Sequence, residues 1–317
     1  MLTIERIKTD DTYDIRDSRF SNTMNKLQCK LYASPNMPGN NEQTWQDVTN
    51  YIINCNFYGA YIIIHIENMS ITEDLSLVKK YIDILENNGI VCNRLKIHCT
   101  DNLTSTQVRN DYKNKLSSLI DYFTNYIDTV FILNEYRDTS GIADKRYESQ
   151  FVTDCINIVK NKNKKVGISF NSSFGFGIFY QSLYSCYLLL DIIGVNAYPT
   201  ITQNYKTLDL YRESYNAYYN LVFSQYFDVV HNDNKKLYYT EFGSADYIYQ
   251  LTRANQSNES EWPTNEKNYL VPIITCYGCL KNQQETGLFD ELSLWWIESI
   301  RENDLFPIFI RYFLGEK

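Results

Sequence analysis

Two carboxylates in this chain stand where apolar runs end. Asn134-Glu135 closes the run Thr129-Val130-Phe131-Ile132-Leu133, and Glu241 closes Lys236-Leu237-Tyr238-Tyr239-Thr240, with Phe242-Gly243 following. Short runs rich in β-branched and aromatic residues read as strands, so each glutamate sits at the C-terminal end of one. Such a pair can carry out a double displacement at a glycosidic carbon. One carboxyl gives a proton to the leaving oxygen and takes one from water, while the other attacks the anomeric carbon. The acid/base partner must be protonated near neutral pH, which burial or the charge of its neighbour can bring about. Arg137, two residues beyond Glu135, opposes that rise or points away.

The elements that would position the pair recur along the whole chain. Strand signals fall at 27–33, 59–66, 94–99, 129–135, 165–170, 191–198 and 236–242, and an eighth lies at 292–297. The runs are short and almost continuously apolar, as suits strands covered on both faces of a parallel sheet. Between them lie helical periodicities at 45–55, 74–88, 112–126, 151–160, 208–230 and 268–280, the last interrupted by Pro272. In 74–88, Leu75, Val78, Ile82 and Leu85 share a face and Gly89 follows as a stop. Eight strand signals with helical ones between them predict a single α/β domain spanning 1–317, a (β/α)8 TIM barrel. A doubly wound sheet would need a Gly-rich turn after the first strand, where this chain has Ser34-Pro35-Asn36. Residues 243–264 after the seventh strand read as an extended loop, and residues 10–26 as a second inserted segment. In this count the glutamates close strands four and seven, which face each other across the mouth of the barrel. A carboxyl separation of roughly 5 Å there would give retention of configuration.

Composition narrows the partners. The net charge is −8 and no segment is a run of Lys and Arg, which argues against nucleic acid. No apolar run is long enough to span a membrane. The N-terminus carries no signal-peptide pattern, pointing to a cytoplasmic protein or one released by lysis or on a phage particle. The 28 Tyr among 317 residues reflect the codon usage of an AT-rich genome, sugar-stacking platforms, or both. Eight scattered Cys suggest no disulfide framework, and Cys276-Tyr277-Gly278-Cys279 lacks the second pair a zinc site would need.

With these motifs in their order, the chain resembles the large clan of (β/α)8 retaining glycoside hydrolases that includes cellulases, mannanases, galactanases and β-1,3-glucanases. The resemblance rests on Asn134-Glu135 closing strand four, Asn196-Ala197-Tyr198-Pro199 closing strand six, Glu241 closing strand seven, and Trp295 or Trp296 closing strand eight. It implies that Glu135 is the acid/base and Glu241 the nucleophile. It also implies that Asn134 bonds the sugar 2-hydroxyl, Tyr198 holds the nucleophile, and a strand-eight Trp floors the sugar site. Trp295 and Trp296 are adjacent, so only one can face inward; Trp295 is favoured. The substrate implied is a carbohydrate, with no cofactor. Two positions depart from the pattern. Many clan members carry an Arg near the end of strand two, where this chain has His65-Ile66-Glu67, and many a Pro after the acid/base, where it has Tyr136-Arg137.

Other polar residues have several readings. His65 and His98 end strands two and three and could bind sugar, bind a metal or be structural. A zinc site would need a His-x-His pair and further ligands, and the chain has three His in all. Lys96 lies in mid-strand, to be packed along its stem or turned outward. A Schiff-base barrel would need a Lys at a strand end. The rival to a working glycosidase is a carbohydrate-binding, virion- or surface-associated barrel that has lost catalysis, suggested by the missing strand-two Arg and by Tyr136-Arg137.

Overall fold

The computed structural model describes residues 27–33, 42–55, 57–66, 75–99, 103, 105–135, 148–170, 173–197, 213, 216, 223–242, 278–280, 282–283 and 285–294. In chain order these form β1 (Leu27–Ala33), α1 (Glu42–Asn54), β2 (Gly59–His65), α2 (Ser76–Asn87), β3 (Val91–His98) and α3 (Thr106–Tyr122). There follow β4 (Thr129–Phe131), α4 (Ser149–Lys160), β5 (Lys165–Phe170), α5 (Ser173–Ser182), α6 (Tyr184–Leu189) and β6 (Ile192–Asn196). The series ends with α7 (Ser224–Asn232), β7 (Lys236–Phe242) and β8 (Glu291–Leu294). Each strand pairs in parallel with the next, and β8 closes on β1 through Leu27–Leu292 and Cys29–Leu294. The predicted (β/α)8 barrel is therefore the fold.

Local chemistry explains the elements. Helix α2 buries Val78, Tyr81, Ile82 and Leu85 along one stripe, and Gly89, at φ 81°, supplies the left-handed turn that leads into β3. Helix α3 starts at Ser105, whose side chain accepts from the Val108 amide, and buries Tyr112, Leu116, Leu119 and Ile120. Where β6 and β8 begin, Asp191 accepts from the Val166 amide and Asp290 from the Leu237 amide, pinning neighbouring strands in register.

The strands 27–33, 165–170 and 236–242 have the bounds the sequence predicts. The β4 ladder is shorter, ending at Phe131, although the Ile132 amide still bonds Gly167 O and Leu133 O accepts from Ser169. Helices α5 and α6 were not predicted. With Gly175, Gly177 and aromatic residues on every side, α5 has no polar face for a periodicity to show. The predicted loop 243–264, the segment 10–26 and most of the helix 268–280 lie outside the described residues.

Strand alternation sorts the core into two parts. Outward residues such as Ile62, Leu95, Val130, Ile168, Val195 and Tyr239 pack under the helices, while Tyr61, Ile63, Phe131, Ile192 and Tyr238 fill the barrel. On the barrel floor Glu291 accepts from the Tyr61 hydroxyl at 2.5 Å and pairs with Arg94 at 3.1 Å. Burial raises the Glu291 carboxyl above its usual range against the pull of Arg94, and burial likewise raises the Tyr61 hydroxyl. The phenol therefore stays the donor.

The Phe131 ring fits only because two neighbours lack a side chain. A Cβ on Gly194 would come within 2.7 Å of Ser169 Oγ and 3.0 Å of both Phe131 Cε1 and Thr240 Cγ2. Gly194→Ala is expected to destabilise the barrel by about 1–3 kcal/mol through overpacking. A lowered denaturant midpoint with an unchanged m-value is the result that checks it.

Candidate active site

The site sits where β3, β4, β6 and β7 end. Strict alternation along β7 would put Glu241 with Leu237 and Tyr239, on the helix-covered face. The register shows why it is not there. Val195 pairs with Tyr239 but Asn196 with Glu241, and Leu292 pairs with Tyr239 but Leu294 with Phe242. Strand β7 thus carries one extra residue against both neighbours, a bulge of the kind that re-aims side chains beside active sites. Thr240 and Glu241 consequently both face the interior. Thr240 Oγ1 donates to Asn196 Oδ1 at 2.8 Å, and the Ala197 amide donates to Glu241 O at 2.9 Å, fixing the bulge from β6.

Lys96 corrects the sequence reading. It is neither turned outward nor packed only along its stem. Its side chain is fully buried inside the barrel, and Nζ lies 2.7 Å from Glu241 Oε1, itself on a side chain only 3% exposed. In register Lys96 lies between Ile63 and Phe131. Its stem crosses that apolar layer and its ammonium emerges among the polar groups above. The signal was present in β3, where Arg94, Lys96 and His98 alternate with Leu95 and Ile97. If the apolar pair packs under the helices, the cationic set must point inward.

Donor and acceptor inventory then orients the polar groups in sequence. Lys96 can only donate, so the Asn196 atom 2.9 Å from Nζ is Oδ1. Asn196 Nδ2 accordingly faces Asn134 Oδ1 at 3.0 Å. Asn134 Nδ2 is turned to His98 Nδ1, 3.4 Å away, which accepts, leaving the imidazole proton on Nε2. That nitrogen lies 3.9 Å from Glu241 Oε1, too far for a direct hydrogen bond but close enough to feel the charge. The circuit runs from Lys96 through Asn196, Asn134 and His98 back to Glu241. His65 joins it by packing its ring 5.1 Å from that of His98.

Glu135 lies four residues beyond β4 at φ 49°, a left-handed backbone that a non-glycine side chain rarely adopts. It is half-buried. Strained residues of this kind cluster at functional sites.

Of the residues singled out from sequence, the structure brings Glu241, Asn134, Asn196, His98 and His65 into one network and leaves Glu135 in the half-buried segment beyond β4. Tyr198, Trp295, Trp296, Tyr136 and Arg137 lie outside the described residues. Sequence reasoning missed Lys96 and Thr240. Among the described residues no group of three His, Cys, Asp or Glu side chains could hold a metal ion, and no helix is long and apolar enough to cross a membrane.

No protein-family model and no characterised protein sequence matches the chain. Solved structures do. The virulence factor SghA from Agrobacterium tumefaciens matches with a TM-score of 0.56 at 10% identity, over 95% of this chain and 99% of that one. The cellulose synthase subunit Z of Clostridioides difficile matches with 0.53 at 11% identity, over 87% and 98%. A β-glucosidase from Thermotoga maritima matches with 0.52 at 11% identity, over 85% and 87%. At such identities the likeness is one of fold, that of a (β/α)8 barrel.

Proposed function

We propose that the protein is a retaining glycoside hydrolase that cleaves β-glycosidic bonds in an oligo- or polysaccharide, with Glu241 as nucleophile and Glu135 as acid/base. The observation that carries this reading is the Glu241–Lys96 pair. A carboxylate that attacks an anomeric carbon must be ionised and held still. Here a strand bulge turns it into the barrel mouth and a buried ammonium 2.7 Å away favours its charge. Glu135, in strained backbone four residues beyond β4, supplies the second carboxyl. Asn134 keeps one N–H and one lone pair beyond its two bonds in the network, enough to bind a sugar hydroxyl. The β-glucosidase fold match supports the same chemistry. The reading of a barrel without catalysis rested on the missing strand-two Arg and on Tyr136-Arg137; against the first, Lys96 supplies a cation to Glu241 from β3.

In the reaction Glu241 would attack the anomeric carbon as Glu135 protonates the departing oxygen. Glu135, now a carboxylate, would then deprotonate the water that breaks the glycosyl ester. Two inversions give net retention. The test is proton NMR of the first-formed sugar from a panel of aryl β-glycosides and β-linked polysaccharides. The β-anomer is expected before mutarotation. A first-formed α-anomer, or no turnover of any β-glycoside, would overturn the proposal.

A further inference from the structure

We infer that Lys96 is the positioning residue of this site, setting the charge of Glu241 and, through Asn196, the polarity of the amides that face the sugar. The inference rests on the glycosidase reading and extends it to a residue on a strand from which that reading draws no catalytic group. Its basis is geometric. Lys96 Nζ lies 2.7 Å from Glu241 Oε1 and 2.9 Å from Asn196 Oδ1, and its side chain is fully buried. A cation in that position has two effects at once. It offsets the cost of keeping a carboxylate out of water, and it forces Asn196 to present Nδ2 to Asn134, which forces Asn134 to present Nδ2 to His98.

Among the described residues, the groups that face Glu241 come from three strands. Lys96 and His98 belong to β3, Asn196 to β6 and Thr240 to β7 itself, while His65 of β2 reaches it only through the ring of His98. Lys96 is the member of this set that donates a direct charged hydrogen bond to the carboxylate. With a neutral side chain in its place, Glu241 would lose the ammonium that donates to it, and the Asn196 amide could turn over. The nucleophile would bind a proton more readily, and Asn134 would lose its fixed orientation toward the sugar.

The experiment compares wild type, Lys96→Met, Glu241→Gln and Lys96→Met/Glu241→Gln. Methionine keeps most of the lysine stem and removes its charge. For Lys96→Met, kcat/KM on an aryl β-glycoside is expected to fall roughly 10²–10³-fold, and the acid limb of its pH profile to move up by about one pH unit or more. Melting temperature gives a readout independent of turnover. Lys96→Met is expected to lose about 5–10 °C at pH 7. The loss should shrink as pH falls, because the stranded carboxylate is relieved by protonation, and it should largely disappear in the double variant, which has no buried charge to strand. If wild type hydrolyses the substrate but Lys96→Met keeps the wild-type acid limb, and Glu241→Gln does not relieve its lower melting temperature, the inference is overturned. If wild type hydrolyses nothing, the glycosidase reading fails. The melting cycle then still decides whether Lys96 sets the charge of Glu241.

Discussion

Replacing Glu241 with alanine should lower kcat/KM by roughly 10⁴–10⁶-fold, the range expected when a nucleophile is removed. The loss has two origins that a second variant separates. Alanine deletes the attacking oxygen and also leaves the fully buried Lys96 ammonium without its carboxylate. Breaking that buried pair should lower stability by about 3–5 kcal/mol. Glutamine in place of Glu241 keeps an oxygen for Lys96 to donate to while still failing to attack, so Glu241→Gln should be equally inactive but much closer to wild type in melting temperature. Added azide should enter the space left in Glu241→Ala and attack in place of the carboxylate. A single displacement from the face opposite the leaving group converts a β-glycoside to an α-glycosyl azide. Wild-type-like turnover in Glu241→Ala would remove Glu241 from the chemistry.

The second large effect is expected at Glu135. Glu135→Ala should lower kcat/KM by about 10²–10⁴-fold on substrates whose leaving group must be protonated. It should cost far less in the first step for a dinitrophenyl glycoside, whose leaving oxygen departs without a proton. With that substrate the second step becomes limiting, since no base activates water, and a burst of dinitrophenolate equal to the enzyme should precede slow turnover. Azide needs no deprotonation, so it should speed the second step and yield a β-glycosyl azide, the product of two inversions. The opposite anomers from the two variants assign the two roles. An equal loss on both leaving groups, with no burst, would place Glu135 outside proton transfer.

Much of the barrel was legible because its strands alternate so regularly. In β2 the set Tyr61, Ile63 and His65 faces in and Ala60, Ile62 and Ile64 face out, and the continuous apolar run follows from burial on both faces. The placement of Glu241 near the end of β7 was readable because it closes such a run, whereas Glu135 lies four residues beyond β4. Two features were not. Helix α5 is wrapped in aromatic residues and glycines, so no helical period stands out. The β7 bulge leaves no mark in a one-dimensional pattern, and strict alternation from Leu237 and Tyr239 assigns Glu241 to the wrong face. Only the register against β6 and β8 corrects it. Lys96 was missed for a different reason. A lone lysine in a strand is usually solvated, and its inward direction follows only once Leu95 and Ile97 are known to lie under the helices.

The glutamate pair and its lysine make one central claim, that Glu241 becomes covalently glycosylated during turnover. A 2-deoxy-2-fluoro-β-glycoside with a dinitrophenolate leaving group tests it directly. Fluorine slows both displacements by destabilising the oxocarbenium-like transition state, and the activated leaving group restores the first, so the intermediate accumulates. Intact-protein mass spectrometry should show one fluoroglycosyl group per chain, and peptide mapping should place it on Glu241. Hydrolysis of the unfluorinated glycoside with no adduct from the fluorosugar, or an adduct on Glu135, would contradict the account.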